Sequence, residues 1–476
     1  MRIFSNILST ITTLFFALLP CTSFSQSERE STTDAYETEQ TSSQYLSLDD
    51  CKQLAIENNA KIKNAELDIE AAEQTKKSVF TKYFPQVSIN GGAFKAQEPF
   101  LDMDIGGSNG FNVSFESQRI NEILQTLTSI YGPYMSLPEL NVSGIDGGFV
   151  GGAMAIQPVF MGGRIVNGNK LAGLGVDAAK LQTEIAHNEV NLKTEELYWT
   201  IISLQEKAKI LVSVNELLDT LYRDASGAVE AGVIHRNDLL KVTLKQSEVK
   251  SMELKLNNGM RLAKSALCQH IGIPYDENMI LTDTIGEIYN PQVYYTDHKD
   301  AIKNRIEYEL LDISVEAERL KKKLIVGEAL PQIAIGAGYT CNTLMDKFKT
   351  NGLVFATLSI PISGWWEKSY EIKKQNVSYQ KAYNQRKDLD EQMLLQMQMA
   401  WNDINEAYSQ VLISSQTVET AKENLKFSTD NYNAGMIGMS EVLEAQSMLQ
   451  QAESQLAENK VDYLIKVTKY RQMTKR

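Results

Sequence analysis

A turn that occurs twice constrains this chain more than any other feature. Residues 231–241 read AGVIHRNDLLK and residues 434–444 read AGMIGMSEVLE, so Gly232 and Gly435 lie 203 residues apart (435 − 232). Each glycine follows a long polar–apolar periodic run, and each is followed by a capping residue type, Asn237 or Ser440. Glycine adopts the left-handed backbone that ends a helix, and Asn or Ser accepts bonds from orphan amides at a helix start. The pattern predicts the tip of a helical hairpin, made twice.

Other matches extend the duplication over most of the chain. Pro158 in IQPVFMGGR aligns with Pro361 in SIPISGWW at the same offset of 203 (361 − 158). PQVSINGGAF from Pro85 matches PQIAIGAGYT from Pro331, but at an offset of 246 (331 − 85). The difference of 43 residues (246 − 203) falls between the two strands of the first copy, as an enlarged hairpin over about residues 96–148. One unit was doubled and one of its hairpins grew.

The order of elements follows from periodicity. Residues 45–272 form repeat 1: an opening helix, a strand from Pro85, the enlarged loop, a strand at about 149–158, a long helix at 163–229, the tip and a return helix. Residues 273–297, with Pro274 and Pro291, connect the copies, and residues 298–476 form repeat 2 on the same plan with a short hairpin. A helix of that length spans roughly 100 Å at ~1.5 Å per residue. Leu204, Ala208, Leu211, Val214, Leu218 and Leu221 keep the three- and four-residue spacing of a narrow coiled-coil seam. Leu389, Met393, Met397, Ala400, Ile404, Ala407 and Val411 form the matching seam of repeat 2, and Val442, Ala445, Leu449, Ala452 and Leu456 that of its return helix. In repeat 2 two short helices stacked end to end match the long one in length, which predicts that each copy is a rod with strands at one end and a tip at the other.

Charge and export narrow the setting. The formal charge of −13 speaks against nucleic-acid phosphate as a partner. Residues 1–25 have one basic residue, an apolar stretch from Ile7 to Leu19 and a small-x-small site at Ser23–Ser25, the pattern of a cleaved signal peptide. Cys21 offers a lipoprotein alternative that Pro20 fits poorly. Residues 26–44 are Ser, Thr and Glu with little to bury and read as a disordered polar tether. Cys51, Cys268 and Cys341 remain after cleavage and read as buried free thiols. No later run of 18 apolar residues provides a membrane helix, so any membrane entry is by strands.

The strands permit that entry. Val354, Ala356, Leu358 and Ile360 alternate with Leu353, Phe355, Thr357 and Ser359, leaving one wholly apolar face. Tyr83, Phe84, Phe160, Trp365 and Trp366 gather where strands meet helices, the place of a membrane-interface aromatic belt. A soluble sandwich with aromatics in its core fits the strands equally well. Hydrophobicity carried across the Pro158/Pro361 match leaves the faces of the first copy unassigned. Four strands cannot close a membrane barrel, for which about eight is the minimum, so a membrane form must oligomerise.

The exported start, the opening helix LSLDDCKQLAIENN, the strand starts FPQVSI and LPQIAI, the junction QPVFMGG and the two tips together resemble the TolC-like outer-membrane efflux protein family over about residues 45–472. Two proline pairs of that family's opening helices appear here as Asn59-Ala60 and Arg305-Ile306. The resemblance implies a mainly α protein with a transmembrane β-barrel: a homotrimer whose three chains build a 12-stranded outer-membrane barrel above a periplasmic α-helical tunnel, with the connecting segment at the tunnel's middle. It implies a passive exit duct that works with an inner-membrane transporter and a periplasmic adaptor (membrane fusion) protein, in contact with outer-membrane lipid.

The resemblance also marks residues. Glu441 and Glu444 match an acidic ring at the periplasmic aperture, and Asp238 and Tyr432 match residues that tie neighbouring helices shut. The arginine of that lock is Ile437 here. Three residues apart on a helix, the two glutamates share a face, and three chains would gather six carboxylates, favouring cations and raising some of their pKa values. The plainer reading is that Glu441, Glu444 and Asp238 are first-turn acids complementing helix dipoles.

Other signals lead nowhere. Gly173-Leu-Gly175-Val-Asp-Ala178 fits a dinucleotide fingerprint formally but lies in a helical run. His187, His235, His270 and His298 lack the spacing of a metal site or a triad, so no enzyme, cofactor or metal is expected. Two other functions compete with the duct: a periplasmic adaptor, which shares long helical hairpins, and a soluble coiled-coil scaffold, for which the Pro-marked strands have no use.

Overall fold

The computed structural model describes residues 45–97, 103–105, 140–142, 147–343 and 348–475. The expected signal peptide, polar tether and most of the enlarged hairpin lie outside the described residues. In chain order the strands are β1 (Tyr45–Leu46), β2 (Gln86–Lys95), β3 (Met103–Ile105), β4 (Leu140–Val142), β5 (Gly147–Met161), β6 (Ile280–Leu281), β7 (Gln332–Asn342) and β8 (Lys349–Ser359). The α-helices are α1 (Leu48–Asn58), α2 (Ala60–Phe80), α3 (Arg164–Glu230), α4 (Arg236–Ile271), α5 (His298–Ala301), α6 (Ile306–Glu328), α7 (Gly364–Asn433) and α8 (Met439–Thr474).

Helices α3 and α7 run 67 and 70 residues without a break. Beside α3 lie α1, α2 and α4, and beside α7 lie α6 and α8, so each copy is a rod of one long helix and stacked shorter ones. The seam residues from Leu211 to Leu221 and from Met393 to Val411 are buried as the spacing requires. Leu389 departs from that reading: it is exposed, because the seam of α7 begins one turn later at Met393.

The opening helices break where the related family has proline, although no proline is present. Asn59 takes ψ 128°, accepts from the Lys61 amide and donates Nδ2 to the His270 carbonyl at 2.8 Å. Arg305 takes ψ 140° and directs its guanidinium to Glu307 at 2.7 Å. Side-chain bonds therefore hold the extended residue that proline sterics would otherwise impose.

The connecting segment is tied to both copies. β6 pairs in parallel with β1, and the Asp283 carboxylate accepts from the Leu48 amide at 2.8 Å and from the Tyr198 hydroxyl at 2.9 Å. The Tyr463 hydroxyl donates to the Tyr289 carbonyl, and His298 meets the Tyr470 hydroxyl at 3.1 Å. Cys51 and Cys268 share the core beneath this segment with Tyr198, Ile201 and Leu267, and burial pushes the Cys51 thiol up to about 12. Both thiols are free and buried as expected, whereas Cys341 is free but only half-buried on β7. Buried Glu195 of α3 joins three helices: it pairs with Lys52 of α1 and accepts from the Thr468 hydroxyl of α8 at 2.5 Å.

At the other end β2, β5, β7 and β8 form one antiparallel sheet in that order, and the β5–β7 ladder joins the two copies. Register assigns the faces that the sequence left open. Val87 and Ile89 pair with Ala155 and Ala153, these with Ala337 and Tyr339, and Ala337 with Val354. That face is largely apolar on all four strands, with Gln157 of β5 beside Ile335 as a polar exception; Ile89 is 82% and Val354 86% exposed. The opposite face carries Gln86, Ser88, Asn90, Asn351 and Thr357, and Met154 and Ile156 of β5 stand there opposite Gly338 and Gly336. Met154 and Ile156 of β5 thus sit on the mixed face, with Leu353 and Phe355 of β8, while Phe149 and the small Ala153 and Ala155 lie on the apolar one. A bulge between Pro158 and Phe160 resets the register where proline cannot donate to the ladder.

Gly162 and Gly163, at φ 61° and 76°, turn the chain from β5 into α3. A Cβ on Gly162 would run into the backbone of Gly327 in the other copy, whereas one on Gly175 of α3 meets nothing within 4 Å. Gly162→Ala is expected to cost about 1–3 kcal/mol, and Gly175→Ala to be neutral or to stabilise by up to about 1 kcal/mol. Thermal unfolding followed by helical circular dichroism checks both. Equal melting of Gly162→Ala and the parent would refute the close-approach account.

Candidate functional site at the helical tip

The two tips are built by the same backbone bonds. In the first, the Val233 amide donates to the Ala228 carbonyl at 2.8 Å and the Gly232 amide to Val229 at 3.0 Å; in the second, Met436 donates to Asn431 and Gly435 to Tyr432, both at 2.9 Å. Gly232 and Gly435 share φ 71°, the left-handed value the turn requires. Asn237 and Ser440 are not the caps that the sequence suggested. The caps are His235 and Gly438, without side-chain bonds, because the turn closes early enough for the helices to begin at Arg236 and Met439. Asn237 and Ser440 are second residues of their helices.

One core holds both tips together. Leu211, Val214, Leu218, Leu221 and Ala225 of α3, Val242 and Val249 of α4, and Met439, Val442 and Leu443 of α8 bury one another. Ile437 and Tyr432 pack against this core, so the residue in place of an arginine is an apolar contact within the tip. Asp238 lies in the first turn of α4, half-buried, with Lys241 Nζ at 3.1 Å. It is close enough to act on Tyr432: burial, then the Asp238 and Asp224 carboxylates, raise the phenol above its usual value. Asp238 and Tyr432, which come from the two copies of one chain, thus lie at the same tip.

Glu441 and Glu444 stand apart from that pair, exposed on the first turns of α8. They border a shallow groove of about 310 Å³ against Asn424, Phe427, Ser428 and Asn431 of α7, with Ile437 at its end. Phe427, exposed on this face, was missed in the sequence reading, although its spacing from Asn424 and Asn431 puts all three on one side of α7. Among the described residues no group of three or more His, Cys, Asp or Glu could hold a metal. Gly173 and Gly175 lie inside α3, where no strand-to-helix turn could cradle a phosphate.

The aromatic residues cluster at the far end. Phe80 contacts the rings of Tyr83 and Phe84 at 5.4 and 5.6 Å, all three exposed; Trp365 donates Nε1 to the Ala329 carbonyl at 2.9 Å; Trp366 faces out, and Phe160 pairs with Ile333 on the apolar face.

Comparison with known proteins bears on this geometry. Residues 327–474 match the profile of the outer membrane efflux protein family. No curated protein sequence matches the chain. Among solved structures, the outer-membrane channel OprN superposes with a TM-score of 0.70 at 12% identity, over 90% of this chain and 89% of that one. The outer membrane protein VceC of Vibrio cholerae gives 0.68 at 12% over 90% and 96%, and the open state of the MtrE outer membrane channel of Neisseria gonorrhoeae 0.68 at 13% over 90% and 88%. At such identities the likeness establishes the fold: outer-membrane channels of this architecture.

Two outcomes test the tip. Ile437→Ala should loosen it by about 1–2 kcal/mol, below the cost of a fully buried site because Ile437 is only partly covered, seen as faster amide exchange in residues 425–445. Tyr432 has a phenol whose folded value is raised, so its contribution is complete below the unfolded value of 10.0 and is lost as pH rises through the folded one. Exchange at the tip should therefore quicken above pH ~10 in the parent and lose that step in Tyr432→Phe.

Proposed function

We propose that this chain, with the fold of TolC-like outer-membrane efflux proteins and their sequence signature over residues 327–474, is the passive exit duct of a tripartite efflux or secretion system. It lies in the outer membrane with a large periplasmic part. The observation that carries the reading is the sheet: four strands, one face largely apolar, standing on a helical rod roughly 100 Å long. A periplasmic adaptor or a coiled-coil scaffold has no use for such a face.

Closure requires further copies. β2 and β8 are open edges, and an open edge in lipid leaves amides unpaired at several kcal/mol each. Three chains close a barrel of twelve strands from four each, with β2 of one copy beside β8 of the next, and continue it as a periplasmic helical tunnel. The chain catalyses no reaction. Substrates pass from an inner-membrane transporter, through a periplasmic adaptor, into the tunnel at its tip.

At the tip, Glu441 and Glu444 of three copies form the acidic ring of the aperture, and Asp238 with Tyr432 holds the helices together. With Ile437 in place of the lock arginine, apolar packing does the closing that a salt bridge would do elsewhere. The aromatics Tyr83, Phe84, Phe160, Trp365 and Trp366 sit at the periplasmic membrane boundary.

Single-channel recording of the purified protein in planar bilayers, beside Glu441→Gln/Glu444→Gln, tests the reading. The parent should form stable cation-selective channels, and the double variant should lose most of that selectivity while conducting still. Channels of unchanged selectivity would return the two glutamates to helix-end residues. Absence of channels from assembled protein would overturn the duct.

A further inference from the structure

The two outer edges of the sheet share a pattern in what lies beneath them. β2 is preceded by α2 and β8 is followed by α7, and both junctions lie at the same end of the sheet. Beneath β2, residues 76–84 read KKSVFTKYF, with three lysines and no carboxylate in a chain of net charge −13. Lys76, Lys77 and Lys82 are exposed and make no ion pair among the described residues, beside the exposed Phe80, Tyr83 and Phe84.

Beneath β8 the pattern recurs by different means. Trp366, Tyr370, Lys373 and Val377 fall at four-, three- and four-residue spacing on one exposed stripe of α7, with Trp366 70% and Tyr370 71% exposed. Lys373 Nζ stands 5.5 Å from the Tyr370 ring centre, and neither Lys373 nor Lys374 has a carboxylate partner among the described residues, whereas neighbouring Lys368 is taken by Glu328 and Glu371. The stripe continues the apolar face of β8 downward through exposed Leu358, Ile360 and Ile362. Lys82 lies four residues before β2, and Lys76, Lys77, Lys373 and Lys374 lie further down their helices, within about 20 Å of the strand ends, with side chains that can extend toward the headgroups.

We propose that each seam between adjacent copies holds an anionic phospholipid headgroup of the periplasmic leaflet. The site is incomplete in one chain: Lys77, Lys82, Phe80 and Phe84 come from beneath β2 of one copy, and Trp366, Tyr370, Lys373 and Lys374 from beneath β8 of the next. In a cyclic assembly of identical chains these edges can only meet each other. The lysines pair with the phosphate, and the aromatic rings seat against the glycerol and upper acyl region that continues the apolar face. Anionic lipid then mends the one boundary at which the tunnel is not a single chain. The inference rests on the trimeric reading above and adds to it a ligand class and a place.

The test uses the full-length protein reconstituted into nanodiscs of phosphatidylcholine with or without phosphatidylglycerol, followed by native mass spectrometry of the trimer. The parent should retain phosphatidylglycerol in preference to phosphatidylcholine, at about one lipid per seam. Lys77→Gln/Lys82→Gln/Lys373→Gln/Lys374→Gln should weaken retention by about fivefold for each lysine removed. Lys321→Gln/Lys322→Gln/Lys323→Gln, on α6 beneath the inner strand β7, should leave it unchanged. Equal loss from both variants, or no preference in conducting parent trimers, would overturn the seam site while the duct stands. A parent that neither trimerises nor conducts would overturn the duct and the seam together. Should the seam variant fail to assemble, the parent alone decides: its trimer should resist heat dissociation better with phosphatidylglycerol than without it, and equal resistance rejects the site.

Discussion

Backbone hydrogen bonding at the edges of one sheet governs the rest of this structure. The β5–β7 ladder uses the inner edges of the two copies to make one sheet of four strands. The outer edges, β2 and β8, remain for a neighbouring chain. Water would satisfy those edges in a soluble protein; hydrocarbon cannot, and the apolar face from Val87 and Ile89 to Val354 and Leu358 is suited to hydrocarbon. The demand for closure therefore falls on assembly, and the helices below inherit whatever symmetry the sheet takes.

Below the sheet, stability is spread along narrow seams rather than held in one globular core. Distinct apolar clusters lie along the rods, near the connecting segment, around Met393 and Met397, and at the tip. Each uses a small residue, Ala55, Ala301 or Ala225, which lets neighbouring helices lie close. Polar ties join neighbouring helices and the connecting segment: Asn59 to His270, Asp283 to Tyr198, Glu195 to Lys52 and Thr468. These bonds fix the register of stacked helices that periodicity alone would leave free to slide.

Much of the fold was legible because its signals are local. Period, glycine position and the 203-residue repeat gave the long helices and the two turns, and Gly232 and Gly435 adopt the backbone those turns need. Local signals also misled. Asn237 and Ser440 have cap chemistry, but the position of the first helical residue is set by how the turn closes, and they fall inside the helix. Leu389 matches the seam by spacing, yet whether a seam residue is buried depends on where the partner helix begins to touch. At the candidate site the sequence could rank Glu441, Glu444, Asp238 and Tyr432, while the nearness of Tyr432 to Asp238, 194 positions earlier (432 − 238), is a tertiary fact.

The sequence by itself determined the duplication, because its motifs recur at a fixed offset, and the secondary structure and the apolar character of β8, because each depends on residues within a turn or two of one another. Tertiary structure decided which face of β5 joins that apolar surface. Alanine at 153 and 155 carries too weak a hydrophobic signal, and Met154 and Ile156 point the other way, so only pairing with β2 and β7 settles it. It likewise decided what Ile437 does. An isoleucine in place of an arginine reads as a missing bond until its neighbours are known, and its neighbours are the buried side chains of both tips. In each case the deciding contact joins residues far apart in the chain, and no local period encodes such a contact.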